Sequence, residues 1–562
     1  MVTPVPISVP TISIPDQYNA ATAFLDRNLD EGRGAKTAIY HEGQRFTYAE
    51  IATQANQVGN GLRALGVDIE QRVALALLDS PAFAAAFFGA IKIGAVPVPV
   101  NTLMKPADYV YILNDSRSKA LFIHAALWPA VQSVLPQLEY LRHVIVVGLD
   151  QAAASEAPKR GFLSRRAPAT QPQTLAAANG PVTVQDYDTW RTSASSTLTA
   201  AHTNKDDSAF WLYSSGSTGF PKGCVHLQHD MAYCTECYAK PILGMTENDI
   251  AFSSSKLFFA YGLGNGLYFP FGVGASVAHH PGRPMPEDLF DIVQTVRPTL
   301  FFAVPTVYAS MLALPDAAKR FDFSSVRACV SAGEALPADI LRRWQDTFHV
   351  DILDGIGSTE VLHIFISNRP GDIRPGSTGK LVPGYKARIV DELGAEVPTH
   401  ELGTLQINGD STTAVYWNKH EKSKDVIQGH WISTGDTYYQ DEDGYYWYAG
   451  RADDMLRVGG RWVSPAEVEG VLISHPAVLE CALIGAPDSN DLIKPKAYVV
   501  LKQGQEPSEA LAEELMTQVK TQLAPYKAPQ WVEFVAELPK TATGKIQRFV
   551  LRNTLQKPTP SA

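Results

Sequence analysis

The sequence is poor in cysteine and carries no excess of positive charge. It has five cysteines among 562 residues, a small and odd number that fits a reducing compartment rather than a disulfide framework. Its 58 acidic residues outnumber its 48 basic ones, for a net charge of −10, which argues against a broad nucleic-acid-binding surface. It contains no run of 18 apolar residues and no basic N-terminal region of the signal-peptide kind. We therefore expect a cytoplasmic protein without nucleic-acid or membrane partners.

A single CxxC pair, Cys234 and Cys237, has no second pair elsewhere in the chain. A redox or metal site is one interpretation of this spacing, and two small residues one helical turn apart are the other. A zinc site built from paired CxxC motifs would need four cysteines. We therefore favour the second interpretation and expect no protein-bound zinc.

Apolar runs alternate with helix signals through the first 450 residues. Thr47 and Glu50 have the spacing of a capping box at the start of a periodic helix. The run RVALALL, residues 72–78, is typical of a strand that is covered on both faces. This alternation predicts a large N-terminal domain, residues 1–450, of layered α/β structure with mostly parallel sheets. Residues 151–200 are rich in Ala, Pro, Ser and Gln and predict a surface insertion.

The character of the sequence changes near residue 451, where charged residues and a glycine pair interrupt the α/β alternation. Beyond this point Ser464 and Pro465 mark the start of a helix, and Glu467 has the spacing to close a capping box. Strand and helix patterns then alternate over a unit of roughly 110 residues. We expect residues 451–456 to form a hinge and residues 457–562 to form a small, mobile α+β domain.

The stretch YSSGSTGFPKG, residues 213–223, combines small residues, hydroxyl groups and one lysine. Small residues let a backbone approach a ligand closely, and exposed N–H groups bind anions. The stretch therefore predicts a phosphate-binding loop, for which a flexible Ser- and Gly-rich turn is the alternative. It is not a Walker A loop, because Pro221 stands five residues after Gly216 where that motif requires glycine. It also lacks the GxSxG pattern of a nucleophile elbow.

Six motifs that follow one another along the chain resemble those of the acyl-adenylate-forming enzymes, which include acyl- and aryl-CoA ligases, peptide-synthetase adenylation domains and beetle luciferase. The motifs are YSSGSTGFPKG (213–223), SAGEALP (331–337), DGIGSTE (354–360), STGD (433–436), GRADDMLRVGG (450–460) and PKTATGKIQR (539–548). The resemblance covers nearly the full length. It implies that the chain uses ATP and Mg²⁺ to convert a carboxylic acid to acyl-AMP, and then transfers the acyl group to coenzyme A.

The resemblance also implies which residues bind the nucleotide and its metal ion. Glu360 and Thr218 are expected to hold Mg²⁺, since hard oxygen ligands beside a triphosphate suit this ion. The alternative for Glu360 is a carboxylate favoured at a helix N-terminus. Asp436 is expected to bind the ribose hydroxyls, and Arg451 the nucleotide. The other implied cofactor contacts are Ser214, Ser215, Gly216, Ser217, Thr218, Gly219 and Lys222 at the β- and γ-phosphates, Gly333, Glu334, Ala335, Asp354, Gly355, Ile356 and Gly357 at the adenine, Thr359 at the α-phosphate, and Ser358 and Arg457.

Lys545 is the third catalytic residue that the resemblance implies, beside Thr359 and Glu360. In this family the matching lysine reaches the substrate carboxylate and the α-phosphate across the domain interface. Asp453 matches the hinge position, and Gly459 and Gly460 match a loop that lines the pantetheine tunnel after the C-terminal domain rotates. The PKTATGK stretch also resembles acetylated sites of the family, so a regulatory acetyltransferase is an expected partner at Lys545.

The stretch SSSKLFFAYGLGNGLYFPF, residues 253–271, interleaves aromatic residues with glycines and predicts a flat apolar slot. Its segment KLFFAYGLGNG resembles the benzoate-CoA ligase branch of the family, as does STEVLHIFISNRPGDIRPGSTG after the metal motif. The matching positions imply a pocket for the acid that is lined by Phe259, Ala260, Tyr261, Ala332, Gly357, His363 and Ile364, with Phe259 as the gating aromatic. His363 could bind a ring substituent or simply pack. No arginine or lysine is clearly placed to bind a second carboxylate, so we expect benzoate or a hydroxy-, amino- or fluorobenzoate.

Three other activities fit some of these observations. One is a stand-alone aryl-acid adenylating enzyme that loads a carrier protein, and another is a ligase for a different acid, of the cinnamate or cyclohexanecarboxylate kind. A luciferase-like oxygenase would share the adenylation step. A non-catalytic binding protein is disfavoured, because Lys545, Glu360 and Asp436 are all present. Both a monomer and a homodimer are compatible with the sequence.

Overall fold

The computed structural model describes residues 10–149, 173–214, 220–458, 461–489, 492–540 and 546–555. Its N-terminal part contains two large sheets and an antiparallel hairpin. Among the described residues, a nine-stranded sheet has the spatial order Lys380–Leu381, Ile364–Ser367, Ile352–Gly357, Ala328–Ser331, Leu300–Ala303, Ile250–Ser253, Ser276–His279, Thr37–His41 and Gln44–Thr47. Its central strands are parallel, and antiparallel strands close both edges.

The second large sheet lies nearer the start of the chain. Its described strands have the order Val96–Pro99, Arg72–Ala76, Ala120–His124, His143–Val147, Gly180–Asp186 and Gln173–Ala177. All are parallel except the last, which forms a hairpin with its neighbour. The strands Ser208–Ser214 and Lys222–Leu227 form a separate antiparallel hairpin. The predicted α/β class with parallel sheets is therefore confirmed.

The predicted surface insertion at residues 151–200 is wrong from residue 173 onward. Residues 173–186 supply the two strands at one edge of the six-stranded sheet, and the helix Tyr187–Thr192 follows them directly. Trp190 of this helix has a buried side chain, and its ring centroid lies 5.6 Å from that of Phe122. This segment is part of the core, and residues 150–172 lie outside the described ranges.

The helix Pro81–Lys92 occupies the centre of the N-terminal part. All twelve of its residues are buried, as expected of a helix that is apolar on every side. Phe87 packs on Phe210 and Phe88 packs on Phe271, each with 5.5 Å between ring centroids. A Cβ on Gly89 would lie 2.6 Å from the carbonyl oxygen of Ala55 in the neighbouring helix. The neighbouring helix, Tyr48–Ala64, begins at the capping box predicted for Thr47 and Glu50.

The remaining helical segments connect the strands and cover the sheets. The α-helices of the N-terminal part, besides those already given, are Arg27–Asp30, Pro106–Asp115, Trp128–Gln132, Asp230–Cys234, Ala260–Leu263, Phe269–Val273, Pro286–Val296, Pro305–Leu312, Ala317–Arg320, Ala338–Phe348 and His420–Val426. The π-helical segments are Thr22–Asp26, Thr235–Ala239 and Gly264–Tyr268, and the 3₁₀ turns are Ala125–Leu127, Leu135–Gln137, Thr359–Val361 and Pro525–Lys527. Within the described ranges, every helix is too short or too polar to cross a bilayer.

An antiparallel sheet that the sequence did not predict follows the parallel ones. Its described strands are Lys386–Val390, Gly403–Asn408, Trp431–Gln440, Ile427–Gln428 and Tyr446–Arg451. The last strand pairs with Trp431–Gln440, and the register places Asp436 opposite Arg451. This sheet ends where the predicted hinge begins.

The C-terminal part has its own sheets and apolar core. Its described strands are Leu456–Val458 and Arg461–Val463, which form a hairpin, and Val478–Pro487, Ile493–Leu501 and Trp531–Phe534, which form a sheet. The helices are Pro465–Ile473, Glu509–Gln522 and Arg548–Leu555. Leu456 and Val458 pack with Leu483 and Val499 of this sheet. The smaller α+β unit that the sequence predicts is therefore present.

The helix Pro465–Ile473 begins as predicted at Ser464, but its cap differs in one respect. The Ser464 hydroxyl accepts a hydrogen bond from Glu467 N at 3.1 Å. The Glu467 carboxylate does not return to the cap, because it accepts from Lys527 Nζ at 2.8 Å instead. The predicted capping box is thus only half formed, since an ion pair with a distant lysine takes the carboxylate.

Candidate active site

Glu360 lies at the centre of a polar cluster beside the predicted phosphate loop. The hairpin register places Ser214 opposite Lys222 at the two ends of that loop. The Ser214 hydroxyl donates to Glu360 Oε1 at 3.2 Å, and Lys222 Nζ lies 3.9 Å from the same oxygen. Three residues predicted for the phosphate and metal site are therefore brought together. Ser215, Gly216, Ser217, Thr218 and Gly219 lie outside the described residues.

Tyr416 belongs to this cluster and was missed from the sequence. Its hydroxyl donates to Glu360 Oε1 at 2.7 Å, and Lys222 Nζ lies 4.3 Å from the centre of its ring. Burial, together with the negative charge of Glu360, raises the pKa of Tyr416 well above its usual range. The phenol therefore stays protonated and remains a hydrogen-bond donor to the carboxylate.

The backbone of the 3₁₀ turn Thr359–Val361 is held by hydrogen bonds from other parts of the chain. His226 Nε2 lies 2.8 Å from the Thr359 carbonyl oxygen. The carbonyl oxygen of Glu360 accepts from Thr413 N at 2.6 Å, and that of Val361 accepts from the Ser411 hydroxyl at 2.9 Å. The Ser358 hydroxyl caps the turn by accepting from Val361 N. Three successive carbonyls are thus fixed, so the side chains of Thr359 and Glu360 start from a rigid backbone.

The residues predicted for the adenine lie at the carboxyl ends of neighbouring parallel strands. Strand Ala328–Ser331 runs beside strand Ile352–Gly357, with Ser331 opposite Asp354. Gly333 adopts a left-handed backbone with φ of +94° in the loop after the first of these strands. Loops at this edge of a parallel sheet are the usual ligand site. Ala332, Glu334 and Ala335 lie in the same loop, and Gly355, Ile356, Gly357 and Ser358 complete the second strand and its end.

Asp354 is buried inside its strand rather than exposed at the edge. Burial raises the pKa of its carboxyl well above the usual range, and its Oδ1 makes no hydrogen bond with another described residue. A buried carboxyl in this state favours its neutral form. Ile356 and Gly357, farther along the strand, are half-buried and more accessible to a ligand.

Asp436 and Arg451 face each other at the end of the antiparallel sheet. Arg451 Nη1 lies 3.0 Å from Asp436 Oδ1 and donates to the Thr434 carbonyl oxygen at 3.1 Å. The two residues predicted for the ribose and the nucleotide are therefore in direct contact. Gly435, which precedes Asp436 within the strand Trp431–Gln440, has φ of +71°, a conformation that favours glycine.

Two of the residues predicted for the acid pocket, Tyr261 and Gly357, lie against His363. Tyr261 is the second residue of the helix Ala260–Leu263, which has Phe259 at its N-cap, and its ring centroid lies 5.7 Å from that of His363. The Tyr261 hydroxyl donates to the Val330 carbonyl oxygen at 2.9 Å, which fixes the ring. A Cβ on Gly357 would lie 2.6 Å from the His363 carbonyl oxygen. Ala332 and Ile364 are buried beside this cluster.

His363 is surrounded by aromatic rings and is uncharged. Tyr238, Tyr268 and Phe269 pack around it with ring centroids 5.5, 6.4 and 4.4 Å away. Burial lowers the pKa of its imidazole to about 3, and neither ring nitrogen makes a hydrogen bond with another described residue. Among these rings, the two His363 nitrogens and the hydroxyls of Tyr238 and Tyr268 are buried polar atoms without a hydrogen-bond partner among the described residues. Tyr238 is far from the predicted stretch in sequence, so it was missed.

The sites predicted for the C-terminal part are described only in part. Asp453 is exposed between the end of strand Tyr446–Arg451 and the hairpin that starts at Leu456. Arg457 is exposed on that hairpin, with its guanidinium 5.6 Å from the centre of the Trp462 ring. Gly459, Gly460 and Lys545 lie outside the described residues. The helix that follows Lys545 is anchored by Arg548, which donates to Glu469 at 2.7 Å.

The cysteines of the CxxC pair are packed in the apolar core. Cys234 and Cys237 are both buried, and the Cys234 sulfur lies 3.5 Å from the Tyr385 hydroxyl. Burial raises the pKa of each thiol to about 12, which disfavours the reactive thiolate. In the part of the chain that the structure describes, no group of three or more His, Cys, Asp or Glu side chains is arranged to hold a metal ion.

The similarity of the chain to known protein families and solved structures agrees with this geometry. A family model described as AMP-binding enzyme matches residues 25–417, and one described as AMP-binding enzyme C-terminal domain matches residues 467–545. The chain therefore belongs to the AMP-binding enzyme family, and the predicted family is confirmed. Among its relatives, the benzoate–CoA ligase of Thauera aromatica is 48% identical over 546 residues, which cover 97% of each chain.

Two solved structures share the whole architecture. The anthranilate CoA ligase AuaEII in complex with anthranoyl-AMP superposes with a TM-score of 0.87 and 44% identity, covering 96% of this chain and 98% of that one. A benzoate CoA ligase from Burkholderia xenovorans LB400 superposes with a TM-score of 0.83 and 44% identity, covering 95% of this chain and 100% of that one. The two-part fold described above is thus the fold of these ligases.

Proposed function

We propose that the protein is an ATP-dependent benzoate–CoA ligase that forms benzoyl-AMP and then benzoyl-CoA. The observation that carries the proposal is the continuity between the aromatic pocket and the phosphate site. Gly357 and His363, which line the pocket, flank the turn that presents Thr359 and Glu360. An acid in the pocket would thus have its carboxylate at the turn that faces the phosphate loop. The relatives with benzoate in their names support the same substrate.

The first half-reaction joins the acid to the α-phosphorus of ATP. A carboxylic acid of this type is ionised at pH 7 and needs no general base. One carboxylate oxygen forms a bond to the α-phosphorus while the bond from that phosphorus to the bridging oxygen breaks, and pyrophosphate leaves with the electron pair. The catalytic need is to neutralise negative charge, which preorganised cations and donors supply. Thr359 and Lys545 are the groups that we assign to the α-phosphate.

The residues around Glu360 fit a magnesium ion bound to the triphosphate. Glu360 offers a carboxylate that is only half-buried, and the Ser214 hydroxyl and Lys222 lie beside it at the end of the phosphate loop. Mg²⁺ is usually held by one or two carboxylates plus substrate phosphates and water. Glu360, together with Thr218 of the loop, would hold the ion, which supplies charge neutralisation at the phosphates when it is bound.

The second half-reaction transfers the acyl group to the thiol of coenzyme A. The thiolate attacks the acyl carbon and AMP leaves, so Lys545 is no longer needed at the α-phosphate. We assign the loop at Gly459–Gly460, with Arg457, to the coenzyme A site after rotation about Asp453. Glycine suits close approach to the thin pantetheine arm. Residues 451–456 serve as the hinge in this proposal.

The pocket favours a small, uncharged aromatic ring. Its described lining consists of aromatic rings, small residues and the neutral His363, without a lysine or arginine to bind a second carboxylate. A substituent that accepts or donates one hydrogen bond, such as hydroxyl or amino, can use the free nitrogens of His363. We therefore include hydroxy-, amino- and fluorobenzoates as acceptable substrates.

The test is pyrophosphate release with ATP, Mg²⁺ and a panel of acids, with and without coenzyme A. The panel holds benzoate, its hydroxy-, amino- and fluoro-derivatives, cyclohexanecarboxylate, cinnamate, acetate and octanoate. Turnover that is confined to small aromatic acids and yields the CoA thioester is the expected result. Preference for another acid would contradict the pocket assignment alone. Failure of coenzyme A to accept the acyl group would instead indicate an enzyme that loads a carrier protein.

Three further features belong to this proposal. The five cysteines are all free and buried, which supports a reducing, cytoplasmic location. A monomer and a homodimer are both compatible with this mechanism. Lys545 is a candidate for acetylation, which would remove its charge. Mass spectrometry after treatment with a protein acetyltransferase would reveal the modification, and an unmodified Lys545 would refute it.

A further inference from the structure

His226 and Asp230 form a buried pair that lies behind the Thr359–Val361 turn. His226 is on the strand Lys222–Leu227, and Asp230 starts the short helix that follows it. Both side chains are completely buried, and His226 Nδ1 lies 2.8 Å from Asp230 Oδ2. The imidazole also stacks on Phe210, with 5.3 Å between centroids and 21° between the ring planes. The ring is therefore fixed in position and orientation.

Both hydrogen-bond partners of His226 are acceptors. The Thr359 carbonyl oxygen can only accept, so His226 Nε2 donates to it across 2.8 Å. On the other side, Asp230 Oδ2 also accepts from Leu227 N at 3.1 Å. Asp230 Oδ2 is also the acceptor for His226 Nδ1, so the ring is held by an acceptor at each nitrogen and its orientation toward Thr359 is fixed.

The turn that receives this hydrogen bond ends in a strained residue. Leu362 has φ of +71° and ψ of −43°, which is close to a γ-turn conformation that is rare for a residue with a side chain. Such residues persist where surrounding contacts fix them, and they cluster at functional sites. Here the surrounding contacts are the bonds to the carbonyls of Thr359, Glu360 and Val361. The first of these bonds holds the residue assigned to the α-phosphate.

We propose that His226 is a positioning residue for acyl-AMP formation, and that with Asp230 it holds the Thr359–Val361 turn in the conformation that binds Mg·ATP. The inference rests on the proposed function only in the roles given to Thr359 and Glu360. It assigns no contact between His226 and the substrates. The pair acts through the backbone of the turn, and coenzyme A transfer from acyl-AMP does not require it.

The experiment compares three variants that avoid leaving a buried charge without a partner. Asp230→Asn is the matched control: with its amide nitrogen at the position of Oδ2 it can donate to His226 Nδ1, and the lost acceptor for Leu227 N is then common to all three variants. His226→Leu in the Asp230→Asn background then removes only the donor to Thr359. His226→Gln in the same background restores a side-chain N–H near the position of Nε2. His226→Phe, which can stack on Phe210, replaces the leucine variant if that protein does not fold.

Relative to Asp230→Asn, the leucine variant should form acyl-AMP about 10- to 100-fold more slowly, the usual cost of losing a group that orients a metal site. Its affinity for α,β-methylene-ATP, measured by calorimetry, should fall about 10-fold with Mg²⁺ and by less without it, since only the contact assigned to Thr359 is then affected. Coenzyme A transfer from supplied benzoyl-AMP should be retained, and the glutamine variant should recover acyl-AMP formation.

Equal losses in both half-reactions, or Mg-dependent nucleotide affinity equal to that of the control, would overturn the inference. The calorimetric measurement uses no acid, so it remains decisive if the enzyme activates an acid other than benzoate. Failure of the unmodified protein to use benzoate would therefore count against the proposed function and not against the role of His226.

Discussion

At the scale of single residues, the candidate site depends on contacts that join distant parts of the chain at one carboxylate. Ser214, Lys222 and Glu360 could be assigned from motifs, because each stands in a recognisable stretch. Tyr416 could not, because the stretch STTAVYWN around it has no distinctive composition. His226 stands beside the phosphate loop in the sequence, but its partner Thr359 is 133 residues away. Pairings of this kind depend on how strands stack, which the local sequence does not encode.

Tyr416→Phe should slow acyl-AMP formation about 10-fold, because Glu360 loses the hydroxyl that orients its carboxylate. The Michaelis constant for benzoate should not change, since the pocket is untouched. Pyrophosphate release at saturating benzoate measures the effect. Transfer of the acyl group from supplied benzoyl-AMP is the internal control, and an equal loss in that reaction would show that the hydroxyl acts on the fold instead.

Gly264→Ala should raise the Michaelis constant for benzoate at least about 10-fold, equivalent to about 1.4 kcal/mol. A Cβ at this position would lie 2.7 Å from His363 Nε2, so the imidazole must move into the space assigned to the acid. The Michaelis constant for ATP should stay the same. Gly470→Ala is the matched control, because a Cβ there has no neighbouring atom within 4 Å. Unchanged benzoate kinetics in the first variant would remove His363 from the pocket wall.

At the scale of secondary-structure elements, regular apolar patterns were informative and compositional arguments were not. The buried strand at residues 72–78 and the Thr47 cap were predicted because their patterns are local. The edge hairpin at residues 173–186 was mistaken for an insertion, since its short strands carry few large apolar residues. A signal was available in Asn179–Gly180, a dipeptide that favours tight hairpin turns. The antiparallel sheet that ends at Arg451 was also missed.

Trp190→Ala should lower the free energy of unfolding by about 3–5 kcal/mol, the usual cost of removing a buried aromatic side chain. Trp190 packs against Phe122, and its ring lies where a Cβ on Gly61 would come within 2.8 Å of it. Chemical denaturation measures the loss. Gln173→Ala, at an exposed position of the hairpin that precedes this helix, should change stability by less than about 0.5 kcal/mol. Equal free energies of unfolding for the two variants would indicate that residues 173–192 are a surface insertion, as the sequence predicts.

At the scale of the whole molecule, the order of six motifs was enough to identify the family and the two-part architecture. It could not define how the two parts are oriented in each half-reaction, which in the proposed mechanism depends on rotation about Asp453. The ion pairs that join Asp454 to Arg548 and Arg552 tie the start of the C-terminal part to its last helix. The segment that carries Lys545 precedes this helix directly, so we expect it to rotate with the rest of that part.

Lys545→Ala and Gly460→Leu should have opposite effects on the two half-reactions. The first variant should lose acyl-AMP formation by at least about 100-fold, because a charge-stabilising group is absent from the transition state, yet it should still transfer the acyl group from supplied benzoyl-AMP. The second should form acyl-AMP normally and fail in thioester formation, since the proposed function assigns this loop to the path of the pantetheine arm. Each half-reaction is measured separately, by pyrophosphate release and by thioester yield. Parallel losses in both variants would contradict an alternation between two orientations.

The buried helix Pro81–Lys92 has a consequence for how inherited or laboratory variation in this protein should be interpreted. It contributes no group to the chemistry, yet its alanines and Gly89 set how closely the surrounding elements can approach. Enlarging any of these small side chains would displace packed neighbours on more than one side. In a saturation library screened for growth on an aromatic acid, this helix should therefore be as intolerant as the catalytic motifs. Positions that such a screen marks as indispensable will include many that never approach a substrate.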